Sequence, residues 1–385
     1  MTRPADSSGF QQVGHSNLNG YGDGMQVIRE ADALYVGHFG VSGMGTSVLD
    51  VRDVNSPTVV KQWKSPPGSH THKVQVADGL LLVNHEQFRG GDPYSAGMSV
   101  YSLDDPFDPH QIGFFNSGGR GVHRIWWTGG RYAYVSAIPE GFEGRILVIV
   151  DMSDPEHPVE AGRWWTPRDG VSGAPEPATA RPIHHALVDG NRAYVGMWDR
   201  GMTILDISDV SRPEIVSTLD WSPGGESHTC LPLRRRSLVV TTDEETKNRC
   251  EGDPHMARVV DVSDERNPQV ISTLPVPEGD FCERGLRFGA HCLHENRPGS
   301  YISEEVVFVT YFNAGLRVYD LADPYHPIEI AHWIPEPPPD QEDVQINDVF
   351  VDEDGLVYAT DRVLGGVYIL APDEQLTTRM LEASR

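Results

Sequence analysis

The sequence predicts an all-β chain folded as a seven-bladed β-propeller, its ring closed by an N-terminal strand that completes the last blade. Three observations predict it. A strand–turn–strand unit recurs along the chain, a second hairpin precedes most copies, and one N-terminal strand has no blade of its own.

The recurring unit reads VLDVRDVNSPTVVKQW (48–63), SVYSLDDPFDPHQIGFF (99–115), LVIVDMSDPEHPVEAGRW (147–164), TILDISDVSRPEIVSTL (203–219), RVVDVSDERNPQVISTL (258–274) and RVYDLADPYHPIEIAHW (317–333). VYILAPDEQ (367–375) is a further copy that stops at the turn. β-branched and aromatic residues alternate to make two strands, and the Asp/Ser/Pro cluster sets the turn between them. The preceding hairpins include VQVADGLLLVN (74–84), IWWTGGRYAYVS (125–136), ALVDGNRAYVG (186–196) and VFVDEDGLVYAT (349–360), with Asp-Gly or Gly-Gly at most turns. Two hairpins make a four-stranded blade. One domain over 1–385 then divides into blades at about 20–66, 67–117, 118–170, 178–224, 225–280, 286–336 and 341–375 plus 9–17. The segment GFQQVGHSN (9–17) supplies the strand missing after Leu370, which leaves no free sheet edge. Residues beyond Gln375 read as a fraying or helical tail.

Composition narrows the function classes. With 39 glycines and 29 prolines in 385 residues, long helices are disfavoured. No apolar run is long enough to span a membrane, and residues 1–14 lack the apolar core of a secretory signal. The net charge of −25 argues against nucleic acid and anionic lipid as partners. Of four cysteines, Cys230 and Cys292 fall in strand-like stretches and Cys250 and Cys282 in loops. Without a CxxC pair, a reduced, cytoplasmic protein is expected, and pairing of Cys250 with Cys282 stays open.

LVIVDMSDPEHPVEAG (147–162) resembles the repeat of the LVIVD-type β-propeller family, and TILDISDVSRPEI and RVVDVSDERNPQV are similar. The resemblance runs over about residues 25–370 and implies the fold; it does not fix an activity.

The inner hairpins share one further feature. Immediately before the innermost strand stands His-x-apolar: His72-Lys-Val, His123-Arg-Ile, His184-His-Ala, His228-Thr-Cys and His291-Cys-Leu. The last blade has Asn347 there and the first has Met25. Equivalent positions on successive blades ring the axis, so the five imidazoles are expected to converge at one mouth of the channel. A transition-metal ion is the expected cofactor, Fe(II) first, with Cu or Zn as the other metals suited to an all-imidazole site. The rival reading is structural, each histidine bonding a turn between blades. It leaves unexplained why the first and last blades lack the residue. His70 and His185 have the opposite strand parity and read as blade-interface or supporting residues. His255 reads as peripheral.

The second inner strand of each blade returns to the same mouth. Its ends supply expected catalytic residues (Glu86, Glu245 and Tyr311), substrate-binding residues (His38, Trp198 and Arg362) and supporting residues (His85, Asp199 and Asp243). His294, just beyond the last ring member, is a further supporting candidate. Loops at 87–97, 166–182, 244–255 and 275–289 exceed the repeat, and Phe281 and Arg287 in the last are expected to line a substrate pocket.

The leading function is a metal-dependent, O2-using oxidoreductase of the dioxygenase kind, acting on a small organic molecule. The only guides are fold-level analogies to carotenoid-cleavage dioxygenases and to selenium-binding-protein-type methanethiol oxidases, which the chain does not resemble along its length. The alternatives are a metal-hydroxide hydrolase, lactonase or lyase, with Glu86 or Glu245 as base, and a non-enzymatic interaction scaffold. The expected partner is a small-molecule substrate, and a homo-oligomer is compatible with this reading. An exposed apolar patch favours the scaffold; a plugged channel beneath converging imidazoles favours the enzyme.

Overall fold

Successive antiparallel sheets, each made from consecutive segments, carry the chain in this computed structural model, which describes residues 5–167 and 180–384. Most of the loop expected at 166–182 lies outside the described residues. The first sheet orders Gly24–Glu30, Ala33–His38, Met44–Asp50 and Thr58–Lys64 from its inner to its outer edge. The next two run Val74–Ala77, Leu80–Gln87, Gly97–Ser102, His110–Asn116 and then Gly121–Trp126, Tyr132–Ile138, Ile146–Asp151, Val159–Trp164. They touch through one backbone pairing, Gly121 with Glu86. Ala186–Asp189, Arg192–Gly196, Gly201–Asp206 and Glu214–Asp220 form a fourth group, and Ser227–Leu233, Leu238–Asp243, Ala257–Asp261 and Gln269–Thr273 a fifth.

The last two groups draw on the N-terminus. Val306–Thr310, Leu316–Asp320 and Ile328–Ile334 gain Asp6–Ser8 at their outer edge. Their inner position is held by the short stretch His291–His294, whose backbone bonds Phe308 and Thr310, before the chain from Glu295 to Ser303 leaves the sheet. Ile346–Val351, Val357–Asp361 and Gly366–Pro372 are completed by Phe10–Ser16, antiparallel to Gly366–Pro372. An N-terminal strand therefore pairs with the truncated last repeat.

Alternation in the repeat explains the core. Inward residues of one sheet pack on the next, as Val27, Leu34 and Val36 do with Val74 and Val83, each buried aliphatic side chain contributing about 1.5–3 kcal/mol. Two glycines allow close approach near the inner edge. A Cβ on Gly37 would meet the His72 backbone at 2.5 Å, and one on Gly196 the His228 carbonyl at 2.6 Å. The tail is the helix Glu374–Ala383, capped by Asp373 and docked through Leu376 and Met380.

Candidate metal centre

What places the histidines is a break in the strand, not the strand itself. Pairing slips between Val122 and Arg124, between Ser227 and Cys230, and between Ile346 and Asp348, so a β-bulge sits at His123, His228 and Asn347. The first sheet has the same slip between Gly24 and Val27, at Met25. A bulge re-aims a side chain and leaves local backbone groups needing partners. Residues on the second strand supply them. Asn84 accepts from Lys73 N at 2.7 Å, Ser136 from Arg124 N at 3.2 Å and Thr310 from Cys292 N at 3.0 Å. Several of these braces also reach the following sheet: Asn84 donates to Val122 O at 2.8 Å, Thr310 to Asn347 O at 3.1 Å, and Thr360 to Met25 O.

The five imidazoles come together in sequence order. Ring centroids are 5.0 Å apart for His72–His123, 5.0 Å for His123–His184, 3.6 Å for His184–His228 and 4.4 Å for His228–His291. In every one Nδ1 is engaged. His123 Nδ1 donates to Glu86 at 2.8 Å and His291 Nδ1 to Asn347 O at 2.8 Å. His228 Nδ1 meets the Thr229 hydroxyl at 2.8 Å, and His184 Nδ1 meets His185 Nδ1 at 2.7 Å. His185 Nε2 faces Glu295 at 3.7 Å, which places the proton of the His184–His185 bond on His184. His123, His184 and His291 therefore present Nε2 lone pairs. His72 differs: its Nδ1 accepts from Asn84 Nδ2 at 3.2 Å, so its Nε2 carries the proton, and that buried N–H has no partner among the described residues.

Among the described residues, three clusters have donor atoms within 4.8 Å of one another: His184, His185 and His228; His228, His291 and Cys292; His70, His72 and Glu86. His123 joins the first cluster to the third through His184 and Glu86. Burial keeps the imidazoles neutral. Desolvation outweighs Glu86 to hold His123 at about 4, and outweighs Glu244 to hold His291 at about 3. His72, His184 and His228 are pushed well below their ordinary value by burial and then by neighbouring imidazoles, His70 and His123 for His72, His228 and His185 for His184, His291 and His185 for His228. Glu86, although buried, stays ionised well below the usual range because His123 and His70 both donate to it.

Below the imidazoles the channel is filled. Arg124 lies between Glu295, to which it hydrogen-bonds, and Asp348 at 3.5 Å. The segment that left the sixth group crosses here, and Arg297 donates to Gln75 at 2.7 Å, to Val76 O at 2.6 Å and to Trp127 O at 3.2 Å.

Other expected residues fall on both sides of the line. Trp198 stacks on His184 at 5.7 Å, and Arg287 and Arg362 line a pocket at the mouth. Glu245 is a correction: it pairs with His255 at 3.2 Å and accepts from Lys247 N, while its neighbour Glu244 meets His291 at 3.6 Å. His255 is accordingly no bystander; burial opposes its charge, but Glu245 and Glu226 raise it to about 9. Tyr311 turns into the core beside Phe288 and Tyr319, and Phe312 stacks on His291 instead. Phe281 is also core, stacked on Phe288.

His38, expected to bind substrate, and the expected supporting residues are held by partners outside the five imidazoles. His38 has both nitrogens bound, to Asp23 and Ser47 at 2.6 Å each. His85 is held by the Ser95 and Ser99 hydroxyls, Asp243 by Arg258 and Trp221, and Asp199 by Arg181 at 2.9 Å. His294 clips two backbones, donating to Tyr301 O and accepting from Val351 N. Conversely, His70 and His185 belong to the cluster. Strand parity reads them as blade-interface or supporting residues; His185 bonds His184, His70 bonds Glu86, and both also fall in close donor groups, where the inner segments are bulged or irregular. Glu295 and Cys292 carried no sequence signal that separates them from core residues.

Propeller architecture and a buried histidine cluster define the class of protein. The LVIVD repeat family model matches residues 120–166 and 185–220, so over these two stretches the chain is similar to LVIVD-repeat proteins. Its fold is similar to that of the periplasmic gluconolactonase PpgL of Pseudomonas aeruginosa (TM-score 0.59, 14% identity, covering 87% of this chain and 93% of that one). It is also similar to the WD40 β-propeller domain of Doa1 (TM-score 0.60, 11% identity, 96% and 98%) and to a protein from Lactobacillus plantarum (TM-score 0.58, 13% identity, 88% and 99%). At these identities the likeness is one of fold. No curated protein sequence matches the chain.

Proposed function

We propose that the chain is a metal-dependent enzyme that oxidises a small organic molecule with O2 at the histidine cluster. In this reading 1–385 is one domain of seven blades, and Phe10–Ser16 closes the ring. The observation that carries the proposal is the approach of His123 Nε2 to His184 Nε2 at 3.2 Å. Glu86 and the Glu295–His185 pair put the protons of both rings on Nδ1, so two lone pairs face each other. Alone, that arrangement is repulsive. Two imidazoles bound to one ion at about 2.0–2.1 Å stand roughly 3 Å apart, which fits the separation.

His123, His184, His228 and His291 would hold the ion, Fe(II) ahead of Cu or Zn, and the metal would supply O2 activation. The chain's own residues do the rest. Glu86, Glu295 and Asn347 O fix ring orientation and raise ligand basicity. His72 offers its unpartnered Nε2–H to a substrate oxygen. The plug of Arg124, Glu295, Asp348 and Arg297 excludes water from the far side.

Two observations weigh against the alternatives. Hydrolysis needs a carboxylate free to take a proton from water, yet Glu86 already accepts from two imidazoles and Glu245 is engaged by His255. The filled channel is of no use to a scaffold. The test is anaerobic loading with Fe(II), followed by nitric oxide as an O2 surrogate. One iron per chain with a ferrous–nitrosyl EPR signal supports the reading; no bound iron, or iron that gives no such signal, removes it.

A further inference from the structure

A pocket of about 660 Å3 opens beside the cluster, and its wall is unusual in composition. Asn248 and Leu286 come from the two long insertions, which the Cys250–Cys282 disulfide joins. Phe39 and Leu364 add apolar surface, and Arg287 and Arg362 supply the charge.

Arg362 is the informative residue. Among the described residues its guanidinium makes no hydrogen bond, and its one ion pair, to Glu244, is long at 3.9 Å. It lies over the rings of Phe39 at 4.8 Å and Phe312 at 5.9 Å. Each of those rings abuts the cluster, Phe39 against His70 and Phe312 against His291. The turn that carries Arg362 is locked: Asp361 accepts from the amides of Gln345, Val363, Leu364 and Gly365. A rigidly mounted, half-buried guanidinium with its planar fork unfilled is built for a bidentate oxyanion.

The local charge agrees. Arg287 binds Glu244 at 2.8 Å, so one carboxylate serves two guanidiniums and also faces His291. Asp23, the acid in the pocket wall, is committed to His38 and to Gly40 N. Positive charge is left over at the mouth of a chain whose net charge is −25. At physiological salt, charges beyond about 8 Å are screened, so the local excess governs what binds.

We propose that the pocket takes a small organic carboxylate with an aromatic or apolar body, its carboxylate on Arg362 and Arg287 and its body directed between Phe39 and Phe312 toward the imidazoles. This rests on the proposed function, because it names the substrate class of that site.

The test is calorimetric titration with phenylacetate and with its neutral analogue phenylacetamide, with metal content measured on the same preparations. The wild type should bind one phenylacetate per chain and bind the amide at least ten-fold more weakly. Arg362→Met should lose at least ten-fold for phenylacetate at unchanged metal content, and Arg362→Lys, which keeps the charge without the fork, should fall between. Equal binding of acid and amide, wild-type binding by a folded Arg362→Met, or no saturable binding overturns the proposal. A protein that takes up no metal when offered yet still needs Arg362 to bind the acid would overturn the metal reading and leave this one standing.

Discussion

His123 and His184, 61 residues apart in the chain, face each other Nε2 to Nε2 at 3.2 Å, each with its other nitrogen already bonded. Neighbouring blades bring the two together, and the acids behind them decide which atom carries the proton. Glu86 stands behind His123, and Glu295 acts through His185 behind His184.

Glu86→Gln therefore tests ligand preparation. The amide keeps the size of the side chain but loses the charge that fixes the His123 tautomer. Metal affinity should fall about 10–100-fold, read by competition with a chelator, while the far-UV spectrum stays unchanged. An unaltered affinity would mean that Glu86 only fills space.

Asn84 braces a bulge and the next sheet at once, bonding Lys73 N, Val122 O and His72 Nδ1. Asn84→Leu orphans all three groups in a buried place and should cost about 3 kcal/mol in urea unfolding. A loss below about 1 kcal/mol would show that the inner edge is held without it.

Acid should unfold the metal-free protein early. His123, His185 and His291 sit at about 4, 4 and 3 because burial dominates, below an unfolded value of about 6.5. As pH falls from 6.5 toward 4 the unfolded chain binds protons that the folded chain does not, so stability is present above this window and lost through it. Asp243 and Asp348, each raised to about 6 by burial, and Asp361, also raised by burial, work in the opposite direction. So does His255, raised to about 9 by Glu245 and Glu226 against its burial, but burial also lowers His72, His85, His184, His228 and His294. Urea midpoints at pH 7.5 and 5.0 measure the difference. The lower pH should be weaker by at least about 3 kcal/mol, and an equal midpoint would contradict the burial described here.

The disulfide makes a chemical prediction. Cys250 and Cys282 close a loop across 32 positions between the two insertions, worth about 3–4 kcal/mol in the chain-entropy account. Alkylation without reductant should label only Cys230 and Cys292 in unfolded protein. Such a bond persists in oxidising compartments, so four labelled thiols would keep the reduced, cytoplasmic expectation, whereas two would argue for another location.

How much of this was legible follows from range. The stretch TILDISDVSRPEI encodes two strands and their turn locally, so the repeat could be read directly, and with it the shared position of the five histidines. The unread part turns on single residues. Period-2 alternation assigns faces only while the strand is regular. At the bulges it fails, so parity reads His70 and His185 as interface or supporting residues and does not show that each also lies in a close donor group with ring histidines. The same one-residue ambiguity exchanged Glu245 for Glu244 and Tyr311 for Phe312. Glu295 reaches His185 only because the inner segment of the sixth group crosses the channel, and nothing local announces that path.

The most direct test is elemental analysis of untagged protein beside a His123→Ala/His184→Ala double variant. The account predicts one equivalent of Fe, Cu or Zn per chain in the wild type and its loss in the folded variant. A wild type that stays folded without metal and takes up none when offered, or a variant that keeps the full equivalent, would contradict it.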